Sequence, residues 1–216
     1  RHGKGFSYFE NGELVRDPQV RARIQRLVIP PAWQDVHIAS DPMAHIQAFG
    51  RDEAGRTQYI YHELWERLRE QRKARRLIEF SKALPAIRRA VARDLSRHAG
   101  SFELAVAACV ALIDQTAIRV GQQVHLRRTG ARGAVTLKQQ HVEVTSDRII
   151  LCFPGKGGKE HQAQVESRRL AKALRRLKRQ QARRLFCYQG PSGELTCITA
   201  RDLNAYLAAI SGRRVS

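Results

Sequence analysis

Arg119 and Lys156 are the side chains whose type and setting best suit chemistry on an anion. Arg119 follows the apolar stretch 102–118 into a glycine-containing loop, AIRVGQQ, and Lys156 sits in PGKGGK at the tip of an expected β-hairpin. A guanidinium offers a planar fork matched to two phosphate oxygens and stays protonated at any working pH. Lysine suits general-acid work, because a neighbouring cation or partial burial lowers its pKa towards neutrality. Two cations on separate elements point to one anionic target. Each also has a plainer reading: Arg119 as an ordinary surface arginine among 39 basic residues, Lys156 as a mobile hairpin tip that touches phosphate nonspecifically. The PGKGGK spacing is not the Gly-x4-Gly-Lys-[Ser/Thr] of a nucleotide-binding loop.

A second group lies in GRTQYIYH, residues 55–62. Gln58, Tyr59 and Tyr61 follow Arg56 there, and strand periodicity puts Tyr59 and Tyr61 on one face. Glutamine can hydrogen-bond adenine edges, and tyrosines can stack on bases or donate to phosphate. The same alternation also describes a core face with hydroxyls at its rim. The eight histidines include no HExxH, and neither a GxSxG motif nor a paired-carboxylate signature stands out, so no metal or cofactor is expected.

These groups need a scaffold, and 216 residues with 43% apolar content can bury one large core or two small ones; two are expected. The excess of 39 Lys+Arg over 20 Asp+Glu, a net charge of +19, calls for a polyanionic partner. Nucleic acid leads, since covering phosphates releases condensed counterions. No apolar run approaches the roughly 20 residues of a spanning helix, and RHGKGFSYF lacks the apolar core of a signal peptide, so a cytoplasmic, nucleoid-associated monomer is expected. Cys109, Cys152, Cys187 and Cys197 show no CxxC pair and read as unbonded small core residues in a reducing compartment.

In chain order, Phe6–Phe9 and Leu14–Arg16 flank Asn11-Gly12, a pair suited to a tight hairpin turn. A short helix follows, capped by Asp17 with Pro18 first, carrying Val20, Ile24, Leu27 and Val28 on one face. Segments 36–39, 45–49 and 57–61 read as an antiparallel sheet. Helical spacing begins at His62, and Pro85 marks a break between two helices. Residues 102–118 form a helix apolar almost all round. Strands are expected at 135–137, 142–144, 149–153 and 162–165, a basic helix over 167–184, and a last helix capped by Thr199 with Asp202 and ended by Gly212. The boundaries are 1–68 for a β-rich N-terminal DNA-binding domain, 69–76 for a basic linker, and 77–216 for part of a C-terminal catalytic domain.

Taken in order, GKGFSYFENG, VIPPAW, GRTQYIYH, AIRVGQQ, TLKQQHVEV, GKGGKEH and DLNAYL resemble the poxvirus-like bacterial type IB DNA topoisomerases over nearly the whole chain. The resemblance implies an α+β protein: a β-rich N-terminal domain and a mainly helical catalytic domain with a small antiparallel sheet, together clamping double-stranded DNA. It implies relaxation of supercoils through a transient 3′-phosphotyrosyl break, without ATP or metal. By motif, Arg119 and Lys156 fall on catalytic positions. Arg56, Gln58, Tyr59, Tyr61, Gly121, Gln122, Thr136, Lys138 and Lys159 fall in DNA-facing segments.

The family's second arginine, its histidine and its tyrosine nucleophile lie beyond the segment matched by DLNAYL. None of Tyr8, Tyr59, Tyr61, Tyr188 and Tyr206 has the nucleophile's context, so these 216 residues are expected to bind DNA without cleaving it alone. A tyrosine recombinase fragment and a noncatalytic DNA-binding protein are the competing readings.

Overall fold

The computed structural model describes residues 6–212. The first residues of GKGFSYFENG and the closing RRVS lie outside them. The chain has a mixed α+β fold and divides into two compact units, one through Leu77 and one from Ile78.

The first unit opens with a hairpin of β1 (Phe9–Glu10) and β2 (Glu13–Leu14). Asn11 and Gly12 both take positive φ, as a two-residue hairpin turn with the strands' twist requires. Helix α1 (Pro18–Arg26) follows; Asp17 caps it by accepting from Gln19 N at 2.7 Å. Ile24 is its buried residue, whereas Val28, expected on the same face, lies past the helix end at φ 48° and is 80% exposed. Strands β3 (Gln34–Ile38), β4 (Ile46–Arg51) and β5 (Thr57–Tyr61) pair antiparallel in that order, as the alternation predicts.

The turn between β4 and β5 is organised by Asp52. Its carboxylate accepts from Ala54 N, Arg56 N, Arg56 Nε and Gln58 Nε2. The Arg56 bonds, side chain first, hold the Asp52 pKa down at about 2. A depressed carboxylate contributes stability above its unfolded pKa of about 4, and that stability is lost as pH falls from there towards 2. A carboxyl-detected NMR titration should place the Asp52 midpoint near pH 2; an ordinary midpoint would contradict this network.

Helix α2 (Glu63–Asp94) is continuous, so residues 69–76, expected as a linker, are helical. Pro85 does not break it, contrary to expectation. Its missing N–H removes one helical bond, but Ile87, Ala90 and Val91 bury one turn on and hold the helix together.

The second unit is built round α3 (Phe102–Thr116), whose residues from Leu104 to Leu112 are all buried. Ser101 caps its start by accepting from Leu104 N. Four alanines, Ala105, Ala107, Ala108 and Ala111, let its neighbours approach closely. A helix with no solvated stripe must be the centre of a core, and α3 packs against every layer that follows.

After α4 (Gln123–Thr129), a sheet of β6 (Val142–Val144), β7 (Arg148–Pro154) and β8 (Glu160–Glu166) turns Ile149, Leu151 and Phe153 inward. Helix α5 (Arg168–Lys178) contributes Leu170, Leu174 and Leu177; each buried leucine stabilises by about 1.5–3 kcal/mol. It ends six residues before the expected 184, because the chain turns at Gln181 (φ 54°) to bring Arg184 opposite Lys138.

Two further expectations are corrected. Residues Ala134–Thr136 form a 3-10 turn rather than a strand, since Thr136 Oγ1 bonds back to Gly133 and arginine side chains take the Val135 and Thr136 carbonyls. The cysteines are not uniformly unbonded core residues: Cys152 is exposed, and Cys187 and Cys197 form a disulfide. They face each other across β9 (Cys187–Gln189) and β10 (Leu195–Cys197), a hairpin the sequence reading missed. Helix α6 (Ala200–Ser211) closes the unit with the expected Thr199–Asp202 capping box.

Candidate nucleic-acid interface

Ala117 ends α3 in the left-handed conformation (φ 52°), its N–H bonded to Ile113 O at 2.9 Å. That reversal buries Ile118 and leaves Arg119 exposed at the surface. The strip after it lies against residues 133–135: Ala134 N donates to Arg119 O at 2.8 Å and Val135 N to Val120 O at 2.9 Å. Gly121 takes φ 81° directly against Gly133; a Cβ on Gly133 would sit 2.6 Å from Gly121 N. The two backbones touch because neither residue has a side chain.

The same short segment reaches the lysine. Arg132 N donates to Pro154 O at 2.9 Å, and Gly155 N closes the next turn onto Lys159 O at 2.8 Å. Lys156 and Lys159 are exposed on that turn, where Gly157 and Gly158 supply positive φ. Residues 132–135 therefore bond to the Arg119 strip on one side and to the root of the Lys156 turn on the other. Among the described residues, neither the Arg119 guanidinium nor the Lys156 ammonium has a partner. From Gln115 to Val142 the chain has no acidic residue, while Arg119, Arg127, Arg128, Arg132 and Lys138 add positive charge. An anion would meet these cations with no carboxylate from that stretch to compete.

The remaining expected residues divide. Gln122 is exposed at the start of α4, with no side-chain cap bond. Lys138 is half-buried, its N–H donating to His141 Nδ1 at 3.0 Å. Burial, then the charges of Arg132 and Lys138, push the His141 pKa down, in keeping with Nδ1 acting as the acceptor of that bond. Thr136 is fully buried: its hydroxyl accepts from Gly133 N and donates to Gly133 O, so it shapes the loop from within. Arg184, absent from the sequence expectations, is half-buried and donates to Val135 O and Ile198 O.

In the first unit, Arg56 and Gln58 are both held by Asp52. Tyr59 and Tyr61 share one sheet face with ring centroids 6.0 Å apart, and Arg69 lies 5.8 Å over the Tyr61 ring. Sequence reasoning missed two members of this face, Phe49 beside Tyr59 and His37 stacked on Phe49. The alternation of β3 and β4 was the signal for them.

Tyr206, the last tyrosine, is tied down. Its hydroxyl donates to Asp94 Oδ2 at 2.8 Å, and Asp94 is buried against Arg93 and Arg97. Burial, then the Asp94 carboxylate, push the phenol well above its usual range, the opposite of an activated nucleophile. Replacing it by phenylalanine should lower stability by about 1–2 kcal/mol, read by urea unfolding, because a buried carboxylate loses a donor.

Comparison with known proteins places this arrangement. Residues 5–52 match the N-terminal domain of bacterial DNA topoisomerase IB, and residues 64–214 match the catalytic core of eukaryotic DNA topoisomerase I. The chain belongs to the type IB DNA topoisomerase family.

Within it, DNA topoisomerase 1B of Acanthamoeba polyphaga mimivirus is 31% identical over 94% of this chain and 61% of its own length. DNA topoisomerase 1B of vaccinia virus is 24% identical over 71% of this chain and 51% of its own. The chain thus spans between half and two thirds of these relatives. A crystal structure of XerH site-specific recombinase bound to difH substrate overlays with a TM-score of 0.39, at 16% identity, over 76% of this chain and 43% of that one, a likeness too loose to argue from. Among the described residues no helix is long and apolar enough to cross a membrane.

Proposed function

We propose that the chain binds double-stranded DNA and supplies two catalytic groups for relaxing supercoils by a type IB mechanism. The reaction is in-line transesterification: a tyrosine oxygen attacks a phosphodiester, a 3′-phosphotyrosyl bond forms, and the 5′ oxygen leaves. Religation reverses it after strand rotation, so the bond energy stays in the covalent linkage. Arg119 stabilises the charge on the non-bridging oxygens, and Lys156 protonates the departing 5′ oxygen. The observation that carries this reading is that, among the described residues, both cations lack partners while one backbone segment bonds to both of their loops.

Gln122, Lys138 and Lys159 contact phosphate beside them, with Gly121 and Thr136 shaping the loop. Tyr59 and Tyr61, with Arg56 and Gln58, form the DNA face of the N-terminal domain, residues 1–68. Residues 77–216 make the catalytic portion. No nucleophile is assigned among the five tyrosines, and Tyr206 in particular is held by Asp94. The 216 residues by themselves should therefore bind duplex DNA and leave supercoiled plasmid unrelaxed.

Duplex binding should weaken steeply with salt, by roughly 10³-fold or more between 50 and 200 mM if about six phosphates are contacted. Fluorescence anisotropy across that range tests the first claim, and a salt-independent affinity would refute it. Incubation with supercoiled plasmid in EDTA without ATP tests the second. Sustained relaxation would show that a nucleophile is present among these residues.

A further inference from the structure

The Cys187–Cys197 disulfide closes the base of the β9–β10 hairpin, and nothing in the proposed reaction uses it. Its place in a run of bonds gives it reach. One residue beyond the bridge on each strand, Ile198 N donates to Phe186 O at 3.0 Å, and Arg184 donates to Ile198 O at 2.8 Å. The same arginine donates through Nε to Val135 O at 3.1 Å, and Leu185 N donates to Leu137 O at 2.9 Å. Val135 N in turn holds Val120 O, and Ala134 N holds Arg119 O. An unbroken series of contacts therefore leads from the sulfur bridge to the Arg119 strip.

Stability alone is a weak reason for this bridge. It closes a sequence separation of only 10, in a unit that already buries α3 from Leu104 to Leu112, whereas disulfides are needed where a core is too small. The pair also differs from the other two cysteines. Cys109 is fully buried, and burial pushes its thiol well above the usual range. Cys152 is exposed, but its bond to the Glu160 carboxylate raises its pKa and suppresses the thiolate.

Both redox forms of the pair are accommodated. Cys187 is 1% exposed, while Cys197 is partly exposed and offers its sulfur to a thiolate from solvent. Attack there breaks the S–S bond, forms a mixed disulfide at Cys197 and releases the Cys187 sulfur as a thiolate, which takes up a proton. The second thiol of a dithiol reductant then resolves the mixed disulfide, so the reductant leaves as a disulfide and two electrons and two protons stay on the cysteines. The new Cys187 thiol finds an acceptor in place, because Arg184 O lies 3.5 Å from its Sγ. Nonbonded sulfurs need more room than bonded ones, so the hairpin base opens where Ile198 O holds Arg184.

We infer that Cys187 and Cys197 form a thiol–disulfide switch, answering to dithiol reductants and small disulfides, that tightens the Arg119 strip when oxidised and loosens it when reduced. Its effect on DNA rests on the proposed function; its effect on the strip does not.

The test compares the 216-residue chain after glutathione disulfide and after dithiothreitol, with peptide mapping to show residues 187 and 197 crosslinked in the first case and free in the second. Reduction should weaken binding of a fluorescent duplex at fixed salt by at least about five-fold, the low end of a typical coupling between sites, and reoxidation should restore it. Amide hydrogen exchange at Ala134 and Val135 should quicken on reduction. Cys197→Ser should bind and exchange like the reduced parent and ignore both reagents, whereas Cys152→Ser should switch like the parent. Because the parent itself is read in both forms, the outcome does not depend on a variant folding. The inference fails if no crosslink forms, if exchange at Ala134 and Val135 is the same in both forms, if a measurable duplex affinity is unchanged by reduction, or if Cys197→Ser still responds. Faster exchange on reduction with no duplex binding in either form would uphold the switch and refute the proposed function instead.

Discussion

Replacing Lys156 by alanine should lower the rate of single-turnover strand cleavage in the active protein by about 10² to 10⁴-fold while leaving duplex affinity within a few-fold. That is the range a positioned general acid contributes. The lysine is exposed on a glycine turn and buries nothing, so its removal has no structural route to a rate effect. A leaving group of lower pKa needs less help from a proton and should recover much of the lost rate. Equal losses of rate and affinity would make Lys156 a phosphate contact only. Arg119→Ala should cost about 10² to 10³-fold, the scale of one lost transition-state donor, and Arg119→Lys should recover little, because an ammonium cannot reproduce the two-pronged fork.

The second large effect is expected at a residue with no side chain. Gly133→Ala would place a methyl group 2.6 Å from Gly121 N and 2.7 Å from Gly121 Cα, and onto Arg119 O. All three are backbone atoms, so no rotamer change relieves the clash. We expect a loss of about 3 kcal/mol or more in urea unfolding, together with weaker DNA binding as the Arg119 strip is displaced. Gly157→Ala is the control. Gly133 is extended at φ −144°, whereas Gly157 has a positive φ of 76° and a Cβ there meets nothing within 4 Å, so at Gly157 only the left-handed backbone cost of about 1–2 kcal/mol applies. Equal losses at the two glycines would show that the close approach does not exist.

These contrasts explain what could be read from sequence. The Asn11-Gly12 hairpin, the Asp17 and Thr199 caps and the buried α3 were legible because each follows from neighbours a few residues apart. Failures came where distant groups decide. Residues 135–137 look like a strand until Arg184, some fifty positions on, is seen to take the Val135 carbonyl. Thr136 was expected to face DNA from motif alone, but its hydroxyl closes on Gly133 inside the core. Pro85 lies in a helix whose next turn is anchored by burial that no local signal reveals.

For the site, the identities of Arg119 and Lys156 were legible as residue types in glycine-containing loops. Their connection through residues 132–135 was not, because it is made of backbone bonds that carry no side-chain signature.

That connection also shapes how the sequence can vary. At position 132 the backbone bond to Pro154 asks only for an N–H, which any residue but proline supplies, while the Arg132 side chain adds a bond to Thr136 O at 2.7 Å that a long donor alone can make. At 133 the requirement inverts: one residue, glycine, and no other. Two adjacent positions of the same segment should therefore show different mutational tolerance, one accepting side chains that still reach the Thr136 carbonyl and the other nearly invariant, although neither carries a reacting group.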